Sequence, residues 1–123
     1  MKAVFGNSTP RGHYSPAMIS GNTVYISGQT SGDPATNKPA AGGIKAEAQM
    51  ALDKLEDVLS SAGCTKEHVV MCRVYIVSAD DWEPVNQVYN KFFGEHKPAR
   101  AIVPIRELSQ GCRVEIEAVA ELP

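Results

Sequence analysis

Two residues carry most of the chemical promise of this chain: Arg100, in Pro98-Ala99-Arg100, and Glu115, in Val114-Glu115-Ile116-Glu117. Arg100 opens a β-prone run directly after a short polar loop. A guanidinium there offers a fixed fork of donors that suits a carboxylate. An arginine at a strand end is also, commonly, a plain surface charge. Glu115 and Glu117 alternate onto one face of the last strand. A carboxylate near an arginine-bound substrate can position a water or shuttle a proton. A solvated polar face explains the pair as well, and for Glu117 it is the preferred reading. Ser27-Gly28-Gln29 ends a strand, where a glycine is usually a structural turn. Tyr14 lies in the polar segment Gly12-His13-Tyr14-Ser15-Pro16, as a packing cap or as a hydroxyl able to close a pocket. Asn86 follows Val85 in a helical stretch, and its position alone does not set it apart.

Other chemistries leave no trace. There is no P-loop, G-x-G-x-x-G, G-x-S-x-G or H-E-x-x-H. Cys64, Cys72 and Cys112 are an odd number without a C-x-x-C pair, and read as buried thiols in a reducing compartment. His13, His68 and His96 have no ligand spacing with each other or with the cysteines, so no metal is expected.

The elements that must hold these residues are legible in the pattern. Lys2–Phe5 reads as a first strand. Ala17–Ser20 and Thr23–Gly28 flank Gly21-Asn22 and predict a hairpin. Thr30–Gly43 has three glycines, two prolines and no apolar period, so it reads as a long loop, expected to be mobile. From Ile44, apolar residues recur every three or four positions through Ala48, Ala51, Leu52, Leu55, Val58, Leu59 and Ala62, predicting a helix that Gly63 stops. Lys45, Glu47, Asp53, Lys54, Glu56 and Asp57 fall to its surface side.

Val69–Val77 reads as a strand, with Val70, Cys72, Val74 and Ile76 on one face and Val69, Met71, Arg73, Tyr75 and Val77 on the other. A second helix is expected from Asp80, with Asp80 and Glu83 as a capping box and Trp82, Val85, Val88, Tyr89 and Phe92 as its apolar stripe, to Gly94. Ala101–Ile105 and Cys112–Leu122 are the last strands. The order is βββ-α-β-α-ββ. Two helices cover only one face of such a sheet. The other face is partly apolar, which predicts burial by self-association into a closed ring.

The chain has 123 residues with 12 basic and 14 acidic side chains, hence a formal charge of −2. That length suits one domain, 1–123. The acidic balance argues against a nucleic-acid binder, which needs clustered Lys and Arg. No apolar run approaches a membrane span, and Met1–Asn7 is too short and polar for a signal peptide, so a cytoplasmic protein is expected.

Five segments together resemble the RidA/YjgF-like family: Gly12–Ser15, Gly21–Gln29, Val85–Phe93, Pro98–Arg100 and Val114–Ala120. The likeness runs over nearly the whole chain in the family's order. It implies an α+β, chorismate-mutase-like fold, a six-stranded sheet with two helices on one face, and homotrimers with clefts between subunits. It implies cofactor-independent hydrolysis of 2-imino or enamine acids of the iminopropanoate and iminobutanoate type to 2-oxo acids and ammonia. By this resemblance Arg100 binds the substrate carboxylate and Glu115 positions water. Tyr14, Ser27, Gly28 and Asn86 match pocket positions, with Tyr14 expected to close the pocket from a neighbouring subunit. Ile102 stands where many members have Cys, at a position whose role is partly a backbone one. Further departures are His13, often Pro; Pro16, often Gln; and a shorter Phe93–Arg100 connection. They bear on substrate preference.

The chemistry asks little of the protein. An imine carbon is already electrophilic, so holding the carboxylate and one water supplies much of the acceleration. Two other readings fit the same residues. One is a trimer that binds small carboxylates without turnover. The other is an RNA-cleaving translation inhibitor, against which the acidic balance weighs.

Overall fold

The alternation of period-2 and period-3.6 patterns folds into one sheet backed by two helices. The structure, a computed structural model, describes residues 1–123. In chain order the elements are β1 (Lys2–Val4), β2 (Ala17–Ser20), β3 (Thr23–Thr30), β4 (Gly32–Asp33), β5 (Lys38–Pro39), α1 (Ile44–Ser61), β6 (Val69–Ile76), α2 (Trp82–Phe93), β7 (Ala99–Pro104) and β8 (Val114–Glu121). Six strands form one mixed sheet in the order β1-β2-β3-β8-β6-β7. The β6–β7 pair, joined through α2, is parallel, and every other pairing in the sheet is antiparallel.

Both helices lie on one face and share one core with it. Leu52, Leu55 and Leu59 of α1 are fully buried against Val24, Val74, Val114 and Ile116 of the sheet. Each such leucine contributes about 1.5–3 kcal/mol of transfer free energy. Val114, Ile116, Ala118 and Ala120 give the central strand β8 its buried face, as the alternation predicts. The opposite face carries Tyr25, Arg73, Tyr75, Val103, Glu115, Glu117 and Val119 and has no covering layer within the chain. Tyr25 is 53% exposed there.

Four local expectations are corrected. The Thr30–Gly43 stretch is not a plain loop, because β4 and β5 pair into a separate two-stranded ribbon inside it. Its first residue beyond β3, Ser31, is fully buried. Glu47 does not lie on the surface of α1. It is 4% exposed and accepts hydrogen bonds from Ser31 Oγ at 2.7 Å and from the Arg113 backbone N–H at 2.9 Å. One carboxylate thus ties the ribbon to the start of β8. In β6 the strand register shifts between Val69 and Met71. The irregularity buries Val69 with Cys72, Val74 and Ile76 and turns Val70 outward, reversing the expected faces of the two valines.

The expected Asp80–Glu83 capping box is also absent. A short 3₁₀ turn, Ala79–Asp81, precedes α2, and Ser78 Oγ accepts from the Asp80 N–H. The cap residue Asp81 instead turns its carboxylate to the Arg113 guanidinium at 2.7 Å.

Candidate functional site

Register decides where the two promising residues fall. Arg100 pairs with Cys72 in the β6–β7 ladder, and Cys72 is fully buried beneath the helices. Arg100 therefore projects to the helix-covered side, at the edge of the sheet. Its guanidinium donates from Nη1 to Asn86 Oδ1 at 2.8 Å. It also lies 4.8 Å from the centre of the Tyr89 ring and 5.7 Å from that of Trp82. Asn86, Tyr89 and Trp82 all belong to α2. Spacings of three and four residues bring them onto the helix surface that faces β7. The aromatic faces favour the cation, and the amide fixes the rotation of its planar fork. One nitrogen is committed to Asn86, and the other donors of the fork have no protein partner. Ile102, two residues on, points to the same side, level with Val74, and packs against the core.

Cys72 sits under this cradle. Burial pushes its thiol up to about 11, which leaves it a neutral packing group. Burial likewise pushes the Tyr89 hydroxyl strongly upward, so the ring faces the arginine as a neutral phenol.

Glu115 lies on the other face of the sheet. It pairs with Tyr75 of β6 and Thr30 of β3, between the inward residues Val114 and Ile116. Its carboxylate rests over Gly28, where an added Cβ would fall 2.1 Å from Oε1. Gly28 is needed for that approach. It sits in the irregular stretch of β3 between Ile26 and Gln29. Ser27 Oγ donates to the Ser15 carbonyl at 2.7 Å, fastening the preceding loop to β3 beside Glu115. Tyr14 is the next residue of that loop and is 51% exposed.

The Glu115 carboxyl is held above its ordinary range. Partial burial is the main cause and the neighbouring Glu117 adds to it, while Lys54 pulls the other way. Lys54 itself is lowered by burial and donates to the Thr30 carbonyl at 2.9 Å and the Gly32 carbonyl at 3.0 Å. Glu117 accepts from Tyr75 Oη at 2.7 Å and Arg73 Nη1 at 3.2 Å. It anchors the open face rather than standing free in solvent.

The sequence-derived residues thus fall into two groups. Arg100, Asn86 and Ile102 gather on the helix side, while Ser27, Gly28 and Glu115 gather on the open side with Tyr14 nearby. One chain does not bring Arg100 and Glu115 together. The sequence reading missed Tyr89 and Trp82 as supports of Arg100, having placed both in a core stripe. It also missed Lys54 as a charge near Glu115. Trp82, at 40% exposure and as the only tryptophan, is poorly explained as core. No group of three His, Cys, Asp or Glu side chains converges as a metal site, and no helix is long and apolar enough to cross a membrane.

A family model described as Endoribonuclease L-PSP matches residues 6–122. The chain belongs to this family, the RidA/YjgF family. Among its RidA/YjgF relatives is the human protein named 2-iminobutanoate/2-iminopropanoate deaminase, 39% identical over 109 residues, which are 89% of this chain and 80% of that protein. A RutC family protein of Pyrococcus horikoshii is 35% identical over 121 residues, 97% of this chain and 96% of its own length. The solved structure of Escherichia coli TdcF with bound serine superposes with a TM-score of 0.91 at 26% identity, covering all of both chains. RidA from an Antarctic Psychrobacter superposes with a TM-score of 0.91 at 32% identity, covering 99% of this chain and 100% of that one.

Proposed function

We propose that this protein hydrolyses reactive 2-imino or enamine acids to 2-oxo acids and ammonia, without a cofactor, in clefts between the subunits of a homotrimer. The observation that carries the reading is the Arg100 cradle. Its guanidinium is held by Asn86 at 2.8 Å and backed by Tyr89, with donors left over for a carboxylate. The deaminase names of relatives at about 40% identity support the reaction class.

In this reading the substrate carboxylate docks on Arg100, which fixes the imine carbon in space. Glu115 of a neighbouring subunit orients a water and takes one of its protons as the oxygen adds to the C=N carbon. The resulting carbinolamine nitrogen is protonated, the C–N bond breaks, and ammonia leaves as the C=O forms. One imino acid and one water give one 2-oxo acid and one ammonia. A carboxyl held above its usual range is the better base for this step. Ser27 and Gly28 shape the wall beneath Glu115, and Tyr14 of that same neighbour closes the cleft. Ile102 lends backbone and bulk beside Arg100, and no thiol chemistry is asked of it.

The two-faced disposition of Arg100 and Glu115 supports a site shared between chains. The partly apolar open face supports self-association. A cytoplasmic setting suits an enzyme acting on short-lived metabolites.

Freshly generated iminopropanoate or iminobutanoate, incubated with the protein, is expected to release ammonia faster than buffer alone. Light scattering is expected to give a trimer mass. Binding of 2-oxobutanoate without accelerated ammonia release would favour a non-catalytic carboxylate-binding trimer, a reading to which the bound serine of TdcF lends weight. An RNA-cleaving role, suggested by the family's printed description, requires RNA affinity that falls steeply with salt. The net charge of −2 speaks against it.

A further inference from the structure

A cavity of about 530 Å³ opens beside Arg100, between the end of α2 and the connection to β7. That volume far exceeds what a three- or four-carbon imino acid fills. Its walls are electrically one-sided. Arg100, Lys97 and His96 line it, Tyr89 and Phe93 form its apolar part, and no carboxylate contributes. His96 is fixed in place. Its Nε2 must donate to the Val69 carbonyl, 2.7 Å away, because that oxygen only accepts. Arg100 accounts for one carboxylate. Lys97 adds a second positive charge beyond it, and that charge makes no ion pair within the chain.

We propose that the Arg100 cavity takes substrates with a second acidic group, so that the preferred class is dicarboxylic 2-imino acids, the distal carboxylate being met by Lys97. This rests on the deaminase reading above and narrows its substrate class. The reaction is unchanged: water adds at the imine carbon, ammonia leaves, and a 2-oxo dicarboxylic acid forms. The distal carboxylate takes no part in bond making and acts through binding alone.

The test compares iminosuccinate with iminopropanoate, each generated in place by an amino-acid oxidase from aspartate or alanine. Ammonia release is measured against the buffer rate. The wild-type protein should favour the dicarboxylate in kcat/KM by about fivefold, the weight of a good ion pair at a partly exposed site. That preference should shrink as salt is raised. Lys97→Glu, at an exposed position, should reverse the preference, with its loss concentrated in KM for the dicarboxylate. Equal rates on both substrates in the wild type, or an equal loss on both in Lys97→Glu, would overturn the inference.

A binding arm separates this from failure of the deaminase reading. Calorimetry with 2-oxoglutarate and 2-oxobutanoate should show tighter binding of the dicarboxylate, abolished in Lys97→Glu. If neither imino acid is turned over, the deaminase reading fails, and this arm alone decides the cavity's preference. Equal affinities would then overturn it.

Discussion

The arginine side and the acid side of the candidate site are built in different ways. Arg100 stands on an edge strand and is held by side chains: Asn86 fixes its fork, and Tyr89 and Trp82 flank it from the same helix. Its cradle is complete within one chain. Glu115 stands on the central strand and is held by backbone and charge. Gly28 makes room for it, Thr30 and Tyr75 flank it in the ladder, and Glu117 and Lys54 bias its proton. It is only partly buried within the chain. A guanidinium that binds a carboxylate must be rigid in direction, which packed aromatics and an amide provide. A carboxylate that handles water must keep an open side and a proton affinity near its task. In the proposed trimer, the acid side is the half that a second chain completes.

The largest effect should fall on the acid side. Glu115→Gln keeps the shape and hydrogen-bonding capacity but loses the base, so kcat should drop by about 10²–10⁴ with KM little moved. Steady-state ammonia release measures both parameters. A comparable loss confined to KM would reassign Glu115 to binding.

On the arginine side, Arg100→Ala should reduce kcat/KM by about ten- to a hundredfold, more if orientation fails, with the trimer intact. Arg100→Lys should be nearly as poor, because an ammonium cannot reproduce the planar two-point contact. Near-normal turnover in Arg100→Ala would remove the carboxylate clamp from the account.

Gly28→Ala probes the acid's seat without touching its charge. The new methyl would meet Glu115 Oε1, so the side chain must swing away while the sheet holds. A fall of about tenfold in kcat is expected, with unchanged circular dichroism. Wild-type kcat would show that the seat does not matter.

The smallest effect is on pH dependence. In the proposed mechanism Glu115 is the base, so activity should fall as pH drops through its raised value. Glu117→Gln removes a like charge and should move that acid limb to lower pH. An acid limb that does not move in the pH–rate profile would place the governing ionisation elsewhere.

How much of this was legible in the sequence follows from the range of each interaction. The α1 stripe and the hairpin over Ala17–Ser20 and Thr23–Gly28 are set by local period and turn chemistry, and both stand as read, the second strand running on to Thr30. Glu47 was misread because its partners, Ser31 and Arg113, are 16 and 66 residues away. A glutamate at a polar helix position carries no local sign of burial. The reversal of Val69 and Val70 comes from a strand irregularity, which shows in a ladder and not in a composition. Arg100, Glu115 and Asn86 could be named from their types and from the resemblance. The face of Glu115 follows from its alternation with the buried Val114 and Ile116, whereas the side Arg100 occupies could not be read, since it depends on Cys72 opposing it across the ladder. Tyr89 and Trp82 have the spacing of core residues, and only the placement of β7 beside α2 turns them toward the arginine.

The central claim is that Arg100 of one chain and Glu115 of another make one site, and subunit mixing tests it most directly. Arg100→Ala and Glu115→Gln chains, each impaired at least about tenfold alone, are refolded together from denaturant and assayed for ammonia release from iminopropanoate. In randomly mixed trimers about a quarter of the shared sites pair an intact arginine with an intact glutamate, so the mixture should recover about a quarter of wild-type activity. A mixture no more active than the separate variants, with mixed trimers verified by mass, would contradict the account.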